Sequence, residues 1–145
     1  MLDTAGTPQT IRLSDYRPPD WLVPHVALDF DLGAQCTRVR ARLTVQRNGK
    51  RRAPLVLDGQ DLRLLSVKRD DVALDIQPVG EKLTIDIDGD SAVIETVVEI
   101  APATNTRLMG LYASAGLLCT QCEAEGFRRI TFFPDRPDVL SVYDV

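Results

Sequence analysis

Val26-Ala27-Leu28-Asp29-Phe30-Asp31-Leu32 and Val39-Arg40-Ala41-Arg42-Leu43-Thr44-Val45 carry the period that sets the architecture of this chain. In the first stretch, Val26, Leu28, Phe30 and Leu32 alternate with Ala27, Asp29 and Asp31. In the second, Val39, Ala41, Leu43 and Val45 alternate with Arg38, Arg40, Arg42 and Thr44. Successive side chains of an extended backbone point to opposite faces. Each stretch therefore has one apolar face and one wet face, the pattern of a half-buried antiparallel strand.

The same period continues downstream. Asn48-Gly49 offers the positive-φ residues of a tight hairpin turn. Leu55 to Leu57 ends at Asp58-Gly59, another turn signal. Leu62 to Val67, Val72 to Ile76, Leu83 to Ile87 and Ala92 to Ile100 read as short strands. Arg69-Asp70-Asp71, Pro78-Val79-Gly80 and Asp88-Gly89-Asp90 separate them. After a break at Ala101-Pro102-Ala103-Thr104-Asn105, Leu108 to Tyr112, Leu117 to Gln121 and Phe127 to Phe133 read as further strands. Pro137-Asp138-Val139-Leu140 predicts a short C-terminal helical turn, since proline is tolerated in a first turn. The fold class is all-β, an antiparallel β-sandwich or pair of saddle-like sheets. Residues 1–20 are expected to form an extended N-terminal arm, because Pro18-Pro19 disfavours helix and lacks two donors. Residues 21–145 are expected to form the β-sandwich domain.

The 145 residues fit one domain. A chain of this size buries roughly 70% of its unfolded surface, enough for a core. Its net charge of −4 gives no general attraction to nucleic acid or anionic lipid. Lys50-Arg51-Arg52 is the one local basic run and reads as a solvated hairpin tip. No apolar run approaches the ~18 residues of a membrane span. Met1-Leu2-Asp3-Thr4-Ala5-Gly6 lacks the basic and apolar regions of a signal peptide, so the expected location is cytoplasmic. Three cysteines do not suggest a disulfide framework.

Chemistry-bearing groups are few. The single histidine, His25, cannot supply the three ligands of a catalytic zinc or the paired histidines of an H-E-x-x-H helix. It reads as a surface or strand-edge residue. Cys119-Thr120-Gln121-Cys122 has C-x-x-C spacing, but in a strand, residues three apart face opposite sides. Two unrelated cysteines are expected there, with a thiol-redox module as a weaker alternative. Gln121 and Glu123 stand two apart, so on extended backbone both point to one face. A carboxylate and an amide suit a protonated amine, although such a pair is also ordinary on a solvent-facing strand. No catalytic residue and no metal ligand is expected within this chain.

The segment from Thr120 to Leu140, Thr-Gln-Cys-Glu-Ala-Glu-Gly-Phe-Arg-Arg-Ile-Thr-Phe-Phe-Pro-Asp-Arg-Pro-Asp-Val-Leu, resembles the corresponding segment of bacterial aminopeptidase N, a family of zinc-dependent gluzincin peptidases. Tyr16-Arg17-Pro18-Pro19-Asp20, Leu57-Asp58-Gly59-Gln60-Asp61-Leu62 and Gly110-Leu111-Tyr112 resemble it less specifically. The resemblance implies the leading β-domain of a larger peptidase that removes N-terminal amino acids from peptides. Glu123 would anchor the substrate α-amine and Gln121 would line the pocket for the first side chain. It also implies metal-assisted hydrolysis at a zinc held in a later catalytic domain. The H-E-x-x-H helix, downstream glutamate ligand and G-A-M-E-N segment of that domain are absent from this chain. The implied partners are peptide N-termini and the catalytic domain of the same polypeptide. The chain stops five residues after Leu140, which predicts truncation of a longer protein. Missing strands would leave an unpaired edge and favour self-association. The competing expectation is a self-standing β-sandwich that binds a partner protein.

Overall fold

The computed structural model describes residues 12–145. Ten strands follow in chain order: β1 (Trp21–Asp31), β2 (Thr37–Arg47), β3 (Leu55–Asp58), β4 (Arg63–Arg69), β5 (Val72–Leu74), β6 (Lys82–Ile85), β7 (Ser91–Ile100), β8 (Gly110–Ser114), β9 (Leu117–Gln121) and β10 (Val142–Asp144). Six of them form one sheet in the order β10-β1-β2-β7-β4-β5; β3 with β6 and β8 with β9 form two-stranded sheets. All pairings are antiparallel except β1 with β10.

Alternation explains why the large sheet has a dry face. Along β2, Thr37, Val39, Ala41, Leu43 and Val45 are buried, while Arg38, Arg40, Arg42, Thr44 and Gln46 are exposed. On β7, Ala92, Ile94, Thr96, Val98 and Ile100 are buried in the same rhythm. These side chains share one core with Leu55 and Leu57 of β3, Leu83 and Ile85 of β6, and Phe132. Each fully buried leucine or isoleucine contributes about 1.5–3 kcal/mol. The wet face is a charge ladder across strands: Glu95 accepts Arg42 at 3.5 Å and Lys68 at 3.1 Å, and Glu99 accepts Arg38 at 2.9 Å and also Arg63. Exposed pairs of this kind contribute about 0–1 kcal/mol each, so the dry face holds the sheet together.

Two hairpins close as two-residue turns. Asp70 and Asp71, with φ of 50° and 65°, join β4 to β5; Ala115 and Gly116, at 48° and 82°, join β8 to β9. Positive φ at both central residues matches the twist of the flanking strands. Asp70 also accepts from Val93 N–H at 2.8 Å, which ties its turn to the sheet.

Asn48-Gly49 does not form the expected hairpin. Both edges of β2 are occupied, by β1 and β7, so the chain leaves the sheet toward β3. Gly49 has φ +85°, and Asn48 clamps the chain that enters β1. Its N–H donates to Asp20 O at 2.8 Å, and its side-chain amide to Pro19 O at 2.8 Å. Arg51 and Arg52 stay at the surface, paired with Asp20 at 2.9 Å and Asp90 at 2.7 Å.

The stretch from Phe127 to Phe133 is not a strand either. Phe127–Arg129 makes a 3-10 turn, and Phe133 makes one isolated bridge to Asp58. Ile130, Thr131, Phe132 and Phe133 are all buried, so this segment runs through the core with no wet face to alternate. Pro137 to Leu140 closes as a single turn, with Val139 N–H donating to Arg136 O at 3.1 Å. Strand β10, which the sequence pattern did not show, then returns beside β1. Of the expected arm, residues 1–11 lie outside the described residues. Leu13–Asp15 forms a 3-10 turn, followed by extended backbone at Tyr16. Among the described residues, no helix is long and apolar enough to cross a membrane.

Candidate functional site

Gln121 is the last residue of β9 and pairs with Gly110 of β8. Cys122 follows, half-buried, and Glu123 opens a turn over residues 123–126. Both Gln121 and Glu123 are exposed, and neither side chain has a hydrogen-bond or ion-pair partner among the described residues. Because the strand ends at Gln121, alternation no longer sets where Glu123 stands; the turn does.

That turn rests on Asp135. Its carboxylate is 7% exposed, and one oxygen, Oδ2, accepts from Gly126 N–H at 2.9 Å, Arg128 N–H at 3.2 Å and Arg128 Nε at 2.8 Å. Arg128 Nη2 donates to Asp135 O at 3.0 Å and to Glu125 at 2.5 Å. The hydrogen bond to Asp135 raises the Arg128 guanidinium above its ordinary pKa, as expected for a charge-assisted contact. Asp135 N–H in turn donates to Asp58 Oδ2 at 3.2 Å.

A second set of contacts holds the other flank. Arg129, 7% exposed, donates to Gln60 Oε1 at 2.8 Å and to Asp61 at 2.5 Å; its Nε has no partner. Gly59 lies against the Phe132 ring, where a Cβ would come within 2.2 Å of a ring carbon. Gly110, at φ +72°, leaves room for Arg129, whose Cβ would be 2.6 Å from an added Cβ. The chain before β1 docks on the same region. Tyr16 O–H donates to Asp138 at 3.0 Å, and Arg136 reaches both Asp138 at 2.6 Å and Arg17 O at 2.8 Å. Four sequence stretches far apart in the chain thus meet along the segment from Gly126 to Asp138. The buried carboxylate and the two close-packed glycines that organise it were not apparent from sequence. Their only trace there was membership of those stretches.

Other candidates are not assembled into this site. A cavity of about 240 Å³, lined by Asp61, Asn105, Arg107, Leu111 and Arg129 among others, lies behind the root of β8 and touches neither Gln121 nor Glu123. Cys119 and Cys122 are free thiols, and burial pushes the Cys122 thiol up, the opposite of an activated redox cysteine. His25 lies on β1 between β10 and β2, half-buried, its Nε2 2.8 Å from Asp144 of β10. The donor set here does not fit a catalytic zinc. The single histidine is engaged with Asp144, and among the described residues no three His, Cys, Asp or Glu side chains gather at one place.

No family model matches the chain. It is 51% identical over 142 residues to aminopeptidase N of Caulobacter vibrioides, covering 96% of this chain and 16% of that protein. It is 45% identical over 144 residues to aminopeptidase N of Escherichia coli, covering 92% and 16%. The structure superposes on Legionella pneumophila aminopeptidase A, solved in complex with aspartic acid, with a TM-score of 0.82 and 35% identity over 92% of this chain and 16% of that one. At 19% identity and a TM-score of 0.70, an M1 zinc metallopeptidase from Deinococcus radiodurans shares the fold. The chain spans 16% of the length of these two curated relatives. Identity of this level over nine-tenths of the chain places it in the aminopeptidase N family as that family's β-rich N-terminal domain.

Proposed function

We propose that this domain anchors the substrate amine for a zinc metallo-aminopeptidase, as part of a longer cytoplasmic polypeptide that carries the zinc-binding helix. Glu123 holds the free α-amine of a peptide, and Gln121 borders the space for the first side chain. One observation carries the reading: both side chains are exposed and unpartnered among the described residues, at the end of β9 and on the turn that follows it, whose base is otherwise densely hydrogen-bonded. A solvent-facing carboxylate held at a set place suits an ammonium group, and the adjacent amide oxygen accepts a further hydrogen bond. The amino-acid complex of the 35% identical relative agrees with a substrate that presents a free amino acid terminus.

The domain contributes registration, and the bond-breaking chemistry belongs to the zinc-bearing part. One charged hydrogen bond contributes about 1.5–3 kcal/mol, while association costs at least about 4 kcal/mol. The domain alone therefore holds no free amino acid, and anchoring operates only where other parts of the enzyme also grip the peptide. In the full-length enzyme, Glu123→Gln is expected to lower kcat/KM for substrates with a free amino terminus by roughly 10- to 100-fold. Steady-state hydrolysis of alanyl p-nitroanilide checks this, and unchanged kcat/KM would overturn the assignment of Glu123.

A further inference from the structure

We infer that Asp135 is a positioning residue for Glu123, holding in place the turn from which Glu123 meets the substrate amine. This inference rests on the amine-anchoring role of Glu123. Glu123 has no partner of its own among the described residues, so its location is set by its backbone. That backbone runs from the end of β9 at Gln121 to Gly126, where the next fixed point begins. The Gly126 N–H donates to Asp135 Oδ2 at 2.9 Å, and Arg128 N–H to the same oxygen at 3.2 Å. One carboxylate oxygen thus fixes two backbone donors just beyond the turn.

Three features distinguish this arrangement from an ordinary surface ion pair. Asp135 is 7% exposed, so its hydrogen bonds act where water competes little. Arg128 neutralises it through Nε at 2.8 Å and also bonds the Asp135 carbonyl at 3.0 Å, which locks the carboxylate and its own backbone together. Asp135 is itself placed from the core. Its N–H donates to Asp58 Oδ2, and the neighbouring Phe133 exchanges backbone hydrogen bonds with Asp58 at 2.8 and 3.0 Å. The path from the β3–β6 sheet to the turn is therefore continuous: β3, Asp58, Asp135, Gly126, then Glu123. Gly126 permits the close approach, since a Cβ there would lie 3.1 Å from Cys122 Cα and 3.2 Å from Gln121 O. Misplacing a substrate-holding group by about 1 Å is enough to cost on the order of 100-fold in rate. A loosened turn is thus expected to act on binding of the amine well before the domain unfolds.

The test is a double-mutant cycle in the full-length enzyme, with alanyl p-nitroanilide as substrate. Asp135→Asn keeps the shape and loses the charge that Arg128 and the two N–H groups share. It is expected to raise KM about 10-fold with a smaller change in kcat. In a Glu123→Gln background the same replacement is expected to change KM by less than about twofold, because the group it positions is already gone. Arg128→Gln leaves both backbone donors on Asp135 and is expected to give a smaller rise in KM that is likewise lost in the Glu123→Gln background. It serves as the reporter if Asp135→Asn does not fold. Independent, multiplying effects of the two sites would overturn the inference, as would a loss confined to kcat. Unchanged kcat/KM in Glu123→Gln itself would instead overturn the amine-anchoring reading, so the two failures are distinguishable.

Discussion

Asp138 gathers three donors on one carboxylate: Arg136 Nε at 2.8 Å, Arg136 Nη2 at 2.6 Å and Tyr16 O–H at 3.0 Å. The Arg136 fork, and then the Tyr16 hydroxyl, hold it below the usual carboxylate range. A folded-state value below the unfolded one means that stability is gained above the unfolded pKa of about 3.9 and lost as pH falls through the folded value. Asp138→Asn is therefore expected to lower the urea midpoint of the chain near pH 7. The difference from wild type should close as the pH falls through the lowered folded-state value, and urea titrations on both sides of the carboxylate range check it. A gap that persists at low pH would show that packing, not ionisation, ties the segment before β1 to the segment after β9.

Among the elements, the β8–β9 hairpin is the one whose placement the site depends on, because β9 delivers Gln121. Its sheet contains only these two strands, and two-stranded hairpins are marginal alone. What seats it is the packing of Gly110 against Arg129, together with buried Leu111 and the Asn105 amide, which donates to Met109 O at 2.7 Å and Leu111 O at 2.9 Å. Gly110→Ala meets two penalties at once, a positive φ and a Cβ 2.6 Å from the Arg129 Cβ. It is expected to destabilise the domain by about 1–3 kcal/mol. Equilibrium denaturation of the variant measures this, and an unchanged midpoint would show that the hairpin root is not packed as described.

For the whole molecule, the large sheet protects one side of itself and leaves an edge open. Strand β10 is exposed at all three residues, Val142 at 66% among them, and Leu140 just before it is 84% exposed. Open edges and exposed apolar side chains favour association. The isolated chain is expected to show a weight-average mass that rises with concentration in sedimentation equilibrium. Leu140→Lys with Val142→Lys is expected to reduce that rise, since charge on an edge opposes pairing. A concentration-independent monomer mass would remove self-association from the account.

The alternating apolar residues of Val26 to Val45 and Ala92 to Ile100 determined the long strands of the sheet, because a period of two is a local property of extended backbone. The stretch from Thr120 to Leu140 determined the family and singled out Gln121 and Glu123, because its residue order is specific. Asn48-Gly49 shows where local information stops. Its turn chemistry is genuine, but whether strands pair across it depends on which edges are already occupied. Phe127 to Phe133 shows the same limit, since consecutive apolar residues describe a buried segment whatever its backbone. Only the tertiary structure decided that Asp58, Gly59 and Gly110 pack against the segment from Arg129 to Asp135. Hydrogen bonds and close contacts between residues tens of positions apart leave no periodic trace in the chain.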